Sequence, residues 1–569
     1  MTRRVGRWAW AALSAGVVLW APAGGGAASL PKERLIPPQT FIIPSAAWDE
    51  QRYESAMLVA KEWEKIGLKV DVRPVPNWPT FVKSVDEPWD AAAFVGGFLA
   101  TPERLEPSLM LTTPYLSTLI GRGKTNHSGY HNPEFDRVVT QADAELDADR
   151  RRALVHRAQE ILAQDVPHIT LYHVRDVLAH NKERFANTVP SPTGGYFNFW
   201  NFLRATPVSG PSMLRIGWTG DIPTLNPVAA RYSVYYLQAV QMVYDTLARL
   251  GPDGKTVPWA AERWTGVDPT TVDVALRRDM AFHDGRPVTA RDVAFTYQFF
   301  LKWKPAYYAA ALNPLEAVTA RDDFTVRFKT RRPFAPLVTL TFATIPILPQ
   351  HIWDGVVERE KVPTPEQWAN PILVGSGPYR FVTLKPAQEV RLTRFDKHFS
   401  PPKTKDWLFV LYASKEAEFL ALINKEIDFY DRGITAVQVE EAKRARHLEL
   451  VEGPTIGVIS LQFNLRPSSP FHDYPFREAF AHLVDYKTVI GVVLRGLGEA
   501  GRGIIAPANA FWHNAAILSQ EVEGRPHYHQ FDPQRARAIL RQAGYEWGED
   551  GRLHYPKDFK PQPYPRAGR

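Results

Sequence analysis

Thr40-Phe-Ile-Ile-Pro44 and Leu68-Lys-Val-Asp-Val-Arg-Pro74 flank a stretch from Asp49 to Ile66 in which apolar residues recur at helical spacing. Thr40 to Pro44 is a short apolar run, as a buried strand requires, and Leu68 to Pro74 alternates between apolar and polar positions. Between them Met57, Ala60, Trp63 and Ile66 fall on one side of a helix that stops at Gly67. Strand, helix and strand in succession form the unit that builds parallel sheets.

Working outward, Asp90 to Phe98 is a further buried strand, and Asp147 to Asp165 is a long helix with Leu154, Ala158, Ile161 and Leu162 inward. The segment Arg204-Ala-Thr-Pro-Val-Ser-Gly-Pro-Ser212 has no periodicity and collects Pro, Ser and Gly, which marks a linker. Beyond it Met213-Leu-Arg-Ile-Gly-Trp218 is a strand, and a helix runs from about Tyr235 to Leu247. Asp253-Gly254 makes a hairpin turn, Val272 to Leu276 is a strand, and Thr289 caps a helix with Asp292 at its third position. The expected fold class is therefore α/β, with mixed sheets flanked by helices.

Size and composition agree with this organisation. The chain has 569 residues, 45% hydrophobic and 23% charged, too long for one core, so two or three domains are expected. Its 17 Trp and 21 Tyr supply amphipathic rings of the kind that line wet clefts, although most rings simply pack in cores. Arg3, Arg4 and Arg7 precede an apolar stretch from Trp8 to Ala21 and then small residues, the pattern of an export signal expected to end at Ala28. The sequence contains no cysteine, which rules out disulfides, thiolate metal sites and a lipidated cysteine, and a free periplasmic protein is expected. A net charge of +7, three of it from the signal arginines, is spread without a basic tract, so nucleic acid is not an expected partner.

Motifs for catalysis are missing. No Gly-x-Ser-x-Gly elbow and no His-Glu-x-x-His pair occur. Gly375-Ser-Gly-Pro378 lacks the Gly-Lys-Ser/Thr of a phosphate loop and reads as a structural turn. His527 and His529 alternate and could clamp a metal on a strand, but loop histidines fit the context better. Neither a catalytic residue nor a metal site nor a cofactor is expected; an enzyme or a chaperone on the same lobes is the competing reading.

Several ordered motifs carry a resemblance. Leu225-Asn226-Pro227, Tyr244-Asp-Thr-Leu247, the segment Ala281-Phe-His-Asp-Gly-Arg-Pro-Val-Thr-Ala-Arg-Asp-Val293, Gly375-Ser-Gly-Pro-Tyr379, Phe463-Asn464, Phe476-Arg-Glu-Ala479 and Ala538-Ile-Leu-Arg-Gln-Ala-Gly544 follow one another. Together they resemble extracellular solute-binding proteins of family 5, the receptors of oligopeptide, dipeptide and nickel importers. Residues 40 to 202 resemble the family's C-terminal portion, through Phe94-Val-Gly-Gly97, Asn132-Pro-Glu-Phe-Asp136 and Val166-Pro-His-Ile169. The order is thus reversed, which fits either a circular permutation or a fusion of unrelated fragments, and permutation is the expectation because the parts sum to one receptor.

The resemblance implies a two-lobed fold of class II. Residues 1–28 would be the signal, 29–175 part of lobe II, 176–203 the return into lobe I, and 204–212 the join of the family's termini. Residues 213–455 would be lobe I, with a subdomain inserted at about 251–370, and 456–569 the rest of lobe II. It also implies a monomer, not embedded in the membrane once the signal is removed, that binds a small molecule or peptide and presents it to the membrane subunits of an ABC importer. Ligand contacts would come from Thr224, Leu225, Asn226, Phe463, Asn464, Gly96, Gly97 and Phe98. Peptide-binding relatives place an acid just after the strand matching Phe94 to Gly97, whereas Phe98-Leu-Ala-Thr-Pro102 is neutral. Glu103 or Glu106 then has to reach in, or the ligand lacks a free amine; peptide-like ligands rank ahead of sugars and nickel complexes.

Overall fold

A computed structural model of the chain describes residues 34–86, 91–121, 124–219, 224–229, 234–371, 373–518, 521–522, 525–526 and 529–565. The signal reading and His527 lie outside these residues. The described chain opens with β1 (Gln39–Pro44), α1 (Glu50–Lys65), β2 (Val70–Val75) and β3 (Ala93–Phe98). Asp49 stands at the N-cap of α1, its carboxylate accepting the Arg52 N–H at 2.9 Å. β1 pairs in parallel with β2, Gln39 opposite Val70, and with β3, Phe41 opposite Ala93, so the opening unit is a right-sized piece of parallel sheet.

This sheet is completed from far along the chain. After α2 (Ala148–Asp165) comes the long strand β4 (His168–Asn181), and much later β5 (Leu448–Phe463) and β6 (Gly498–Ala500). The six strands lie in the order β6-β4-β5-β3-β1-β2, with β5 antiparallel to both β3 and β4. Trp63 of α1 explains why distant segments meet. It is wholly buried, and its ring centroid lies 5.2 Å from Phe41, 6.2 Å from Phe463, and 5.3 Å from Phe471 and from Phe480. One apolar core therefore draws on residues 36–172 and 456–555 together.

A second core gathers residues 178–429. There a four-stranded sheet contains Met213–Thr219 as an edge strand parallel to Asp406–Tyr412, and a separate antiparallel sheet contains, in spatial order, Ala261–Asp268, Thr271–Leu276, Thr325–Thr330 and Leu315–Ala320. The molecule is thus two-lobed α/β, mixed sheets flanked by helices. The lobe built on residues 178–429 is lobe I below and the other lobe II.

Two details depart from the sequence reading. Met57 is 37% exposed, because the buried face of α1 runs through Ala56, Val59, Ala60 and Trp63 instead. The helix expected to reach Leu247 ends at Val243. Its C-terminal carbonyls are met there by the Gly375–Gly377 turn: the Gly377 N–H donates to Val243 O at 2.8 Å, and a Cβ on Gly375 would lie 2.0 Å from that oxygen. His283 locks the same turn. Its Nε2–H donates to Gly377 O at 2.9 Å, and its backbone N–H donates to Gly375 O at 2.8 Å. Two motifs ninety residues apart in sequence are in this way one structural joint, and Gly375-Ser-Gly-Pro378 is a turn rather than a phosphate cradle.

Candidate functional site between the lobes

β4 and β5 both run out of lobe II and into lobe I, and their register shifts twice, between Pro454 and Val458 and between Ile459 and Ser460. Regular antiparallel register holds from Leu448 opposite Asn181 to Pro454 opposite Arg175, and resumes at Val458 opposite His173. Between these points the Thr455 hydroxyl bonds to Val174 O at 3.0 Å and accepts the Gly457 N–H at 3.0 Å, while the Ile456 N–H turns to Pro192 O at 3.0 Å. The wider of the two interruptions, at Pro454–Val458, bends the strand pair locally.

Contacts across the gap close the other side. Tyr307 of lobe I donates its hydroxyl to Glu103 of lobe II at 3.4 Å, Thr339 donates to Glu106 at 2.6 Å, and the Arg432 guanidinium reaches Ala100 O at 3.4 Å. A cavity of about 40 Å³ lies beside the first of these contacts, lined by Pro102 and Glu103 from lobe II and by Ser191, Trp200, Arg249 and Tyr307, among others, from lobe I. That volume holds a water or two. Burial, with the Glu103 carboxylate beside it, holds the Tyr307 phenol well above its ordinary range, and burial holds the Arg104 guanidinium below its own.

The expected site residues fall in different places. Glu103 lines the cavity. Phe98 lies under the Arg104 guanidinium, 5.6 Å from ring centroid to Cζ, and Gly96 and Gly97 pair with Ser460 and Ile459 of β5. A Cβ on Gly97 would sit 2.5 Å from the Ile459 side chain, so this glycine is needed for sheet packing. Phe463 is wholly buried in lobe II, stacked 4.5 Å from Phe471, and Asn464 spends its Oδ1 on the Arg466 backbone N–H at 3.1 Å. Thr224 accepts the Asn226 N–H at 3.1 Å, Leu225 is 1% exposed, and the Asn226 amide donates to Pro365 O and Trp368 O, each at 2.8 Å. Of the expected site residues, Glu103 is the one that lines this cavity.

Of the two acids considered for an incoming ammonium, Glu106 is engaged otherwise. It is 2% exposed, ion-paired with the buried Arg151, and accepts from Ser108 and Thr339. Glu103 is the acid at the cavity. Sequence reasoning missed Arg249 and Tyr307, although each carries a signal: Arg249 is a lone charge in the apolar run Thr246-Leu-Ala-Arg-Leu250, and Tyr307 belongs to a Tyr pair after Pro305. Among the described residues no group of three or more His, Asp or Glu side chains is placed to hold a metal ion, and no helix is long and apolar enough to cross a membrane. His529 packs against the His482 ring, centroids 4.9 Å apart.

Comparison with known proteins gives the following. A family model described as bacterial extracellular solute-binding proteins, family 5 Middle, matches residues 255–566. The chain is 25% identical over 316 residues to the dipeptide-binding protein of Escherichia coli (strain K12), covering 52% of this chain and 56% of that one. It is 24% identical over 276 residues to the oligopeptide-binding protein AppA of Bacillus subtilis (strain 168), covering 48% of each. The chain spans about half the length of the relatives it matches. Among solved structures, NikZ from Campylobacter jejuni in complex with Ni(L-His) superposes with a TM-score of 0.49 at 19% identity, over 61% of this chain and 66% of that one. AppA from Bacillus subtilis in complex with a nonapeptide gives 0.48 at 21% identity, over 61% and 67%.

Proposed function

Since the chain belongs to the bacterial extracellular solute-binding proteins of family 5, we propose that it is the binding receptor of an ABC importer, a protein that captures a peptide-like or other small polar solute between its lobes and catalyses nothing. The relatives matched over about half their length are named as binding proteins, which supports this reading over an enzyme or a chaperone. The observation that carries it is the cavity walled by Glu103 on one side and by Arg249 and Tyr307 on the other, with two long strands that cross between the lobes and whose ladder is interrupted at Pro454–Val458.

In mechanism, a solute touching both lobes stabilises the shut form by the contacts that exist only there. Reversing a population from mostly open to mostly shut takes roughly 5.5 kcal/mol of preference, within reach of a few buried hydrogen bonds and ring contacts. Glu103 offers an acceptor to a cation or hydroxyl, and the rings of Trp200 and Tyr307 offer flat apolar walls. The membrane subunits of the importer would read the closed shape, outside the cytoplasm, and other chains would hydrolyse nucleotide. We also infer that the reversed order is a circular permutation of one receptor.

The test is native mass spectrometry of the purified protein, followed by thermal shift against dipeptides, opines, sugars and metal complexes. A retained solute, or saturable stabilisation without chemical change of the probe, is the expected result. Turnover of a stabilising probe, or no retained solute and no stabilisation by any class, would remove the receptor reading.

A further inference from the structure

Two buried carboxylates share one hydroxyl at the seam between the lobes. Asp143, near the end of the helix Pro133–Ala144, is 6% exposed, and Glu106, at the N-cap of the helix Pro107–Tyr115, is 2% exposed. The Ser108 hydroxyl lies 3.0 Å from Glu106 Oε1 and 2.5 Å from Asp143 Oδ1, yet it has a single hydrogen to give. Arg151 of α2 is ion-paired with Glu106, and its Nε donates to Ala142 O at 3.0 Å. With both acids ionised, one of the two contacts to Ser108 sets lone pairs against each other. With a proton on Asp143 the chain runs in one direction, Asp143 donating to Ser108 Oγ and Ser108 donating to Glu106.

Lobe I covers this group. Thr339 donates its hydroxyl to Glu106 Oε2 at 2.6 Å, and the turn Ala335–Leu337 packs against the helix that carries Asp143. Asp143 faces Glu106, Ser108 and Thr112 from the helix Pro107–Tyr115, Arg151 from α2, and the Arg332 charge from lobe I. Burial raises the Asp143 carboxyl to about 6, with the Glu106 charge adding to it, against the Ser108 hydrogen bond and the charges of Arg151 and Arg332. When lobe I moves away, water reaches the carboxyl and its value falls toward the ordinary one near 4. Departure of Arg332 works the other way, but its charge is the least of these influences.

We propose that Asp143 is a proton switch on lobe closure: the shut form holds a proton between Asp143 and Ser108, the parted form releases it, and the lobes close more readily in acid. The proposal rests on the reading that the lobes part and close, and it holds whatever the solute is. A carboxyl that binds its proton more tightly in the shut form favours that form below about pH 6, and the preference is lost as the pH rises to about 7.

The chain contains no cysteine, so fluorophores can be placed on one introduced cysteine per lobe, Lys61→Cys in α1 and Glu262→Cys in the strand Ala261–Asp268, both at exposed positions. Single-molecule energy transfer on the full chain then reads the shut and parted populations from pH 7.5 to pH 5 with no solute added. The ratio of shut to parted molecules is expected to rise about threefold or more as the pH falls, with a ceiling of about tenfold. Asp143→Asn, which mimics the protonated acid, is expected to show at pH 7.5 the ratio that the wild-type protein reaches at pH 5, and to change by less than about twofold across the range. Melting temperatures at each pH show whether the variant is folded. Two populations whose ratio stays constant with pH in the wild-type protein overturn the proposal without any variant, and leave the receptor reading intact. An unchanged pH response in folded Asp143→Asn overturns it as well, since another group then takes up the proton. A single distance at every pH means that the lobes do not part, and the proposal falls; a solute retained in native mass spectrometry would then still support the receptor reading.

Discussion

At the scale of single residues, Trp63 decides whether the two ends of the chain belong to one body. Its partners Phe41 and Phe463 are more than four hundred positions apart in sequence, yet both rings stack on it, and Phe471 and Phe480 close the remaining sides. Most buried rings pack among neighbours in sequence; this one packs in a core shared between segments that a long intervening lobe separates. Trp63→Ala removes the ring and leaves a cavity that the stacked neighbours cannot fill, with an expected loss of about 3–5 kcal/mol. Urea denaturation followed by circular dichroism measures it. A loss under 1 kcal/mol would mean that the N-terminal segment does not pack on the C-terminal one as described.

At the scale of elements, β4 carries three histidines from one lobe into the other, His173 and His180 buried and His168 partly so, and they make the crossing sensitive to acid. Burial pushes His168 down to about 4, His180 to about 4, and His173 to about 3, the last helped by the nearby charges of His513 and Arg502. Each is neutral when folded and binds a proton near 6.5 when unfolded, so the stability it contributes is complete above about pH 6.5 and is lost as the pH falls toward the folded value. Burial raises Asp143 and Asp176 to about 6, and these act in the opposite sense between pH 6 and 4, favouring the folded form as they take up protons. A single substitution isolates the histidine effect. His173→Gln keeps an acceptor for the Arg502 N–H, which His173 Nε2 receives at 3.0 Å, and abolishes the titration. Relative to wild type, the variant is expected to gain about 2–3 kcal/mol on going from pH 7 to pH 4.5, measured by denaturant titration at each pH. A stability difference that does not move with pH would show that His173 is not held neutral.

At the scale of the whole molecule, legibility in the sequence followed the range of the interactions. β1, α1 and the capping box at Thr289 were readable because their determinants lie within a few residues; the box is present, with the Asp292 carboxylate accepting both the Thr289 N–H and its hydroxyl. The early end of the helix at Val243 was not, since a turn more than a hundred and thirty residues later imposes it, and Arg249, although marked as a lone charge in an apolar run, could not be placed at the cavity because Glu103 and Tyr307, which share it, are distant in sequence. The chain order is the largest long-range question, and the packing around the ends bears on it. The Ile36 N–H donates to Leu553 O at 3.1 Å, Arg34 Nε donates to Tyr555 O at 3.1 Å, and Leu35 bridges His554, so the two extreme described segments lie side by side on lobe II. The linker 204–212 meanwhile runs over the surface, with Val208 56% exposed. If the order is a permutation, a chain re-ordered to start at Met213, run to Tyr564 and continue by a short glycine-serine join into Arg34 to Ala205 re-forms the same core contacts, because the exposed part of the join has been cut and neighbouring ends have been tied. Such a chain is expected to melt in one transition within a few degrees of the original and to retain the same solute in native mass spectrometry. Two separate transitions, or a soluble product without the shared cavity, would favour a fusion of unrelated fragments, since segments that never formed one receptor have no reason to fold when their order is exchanged.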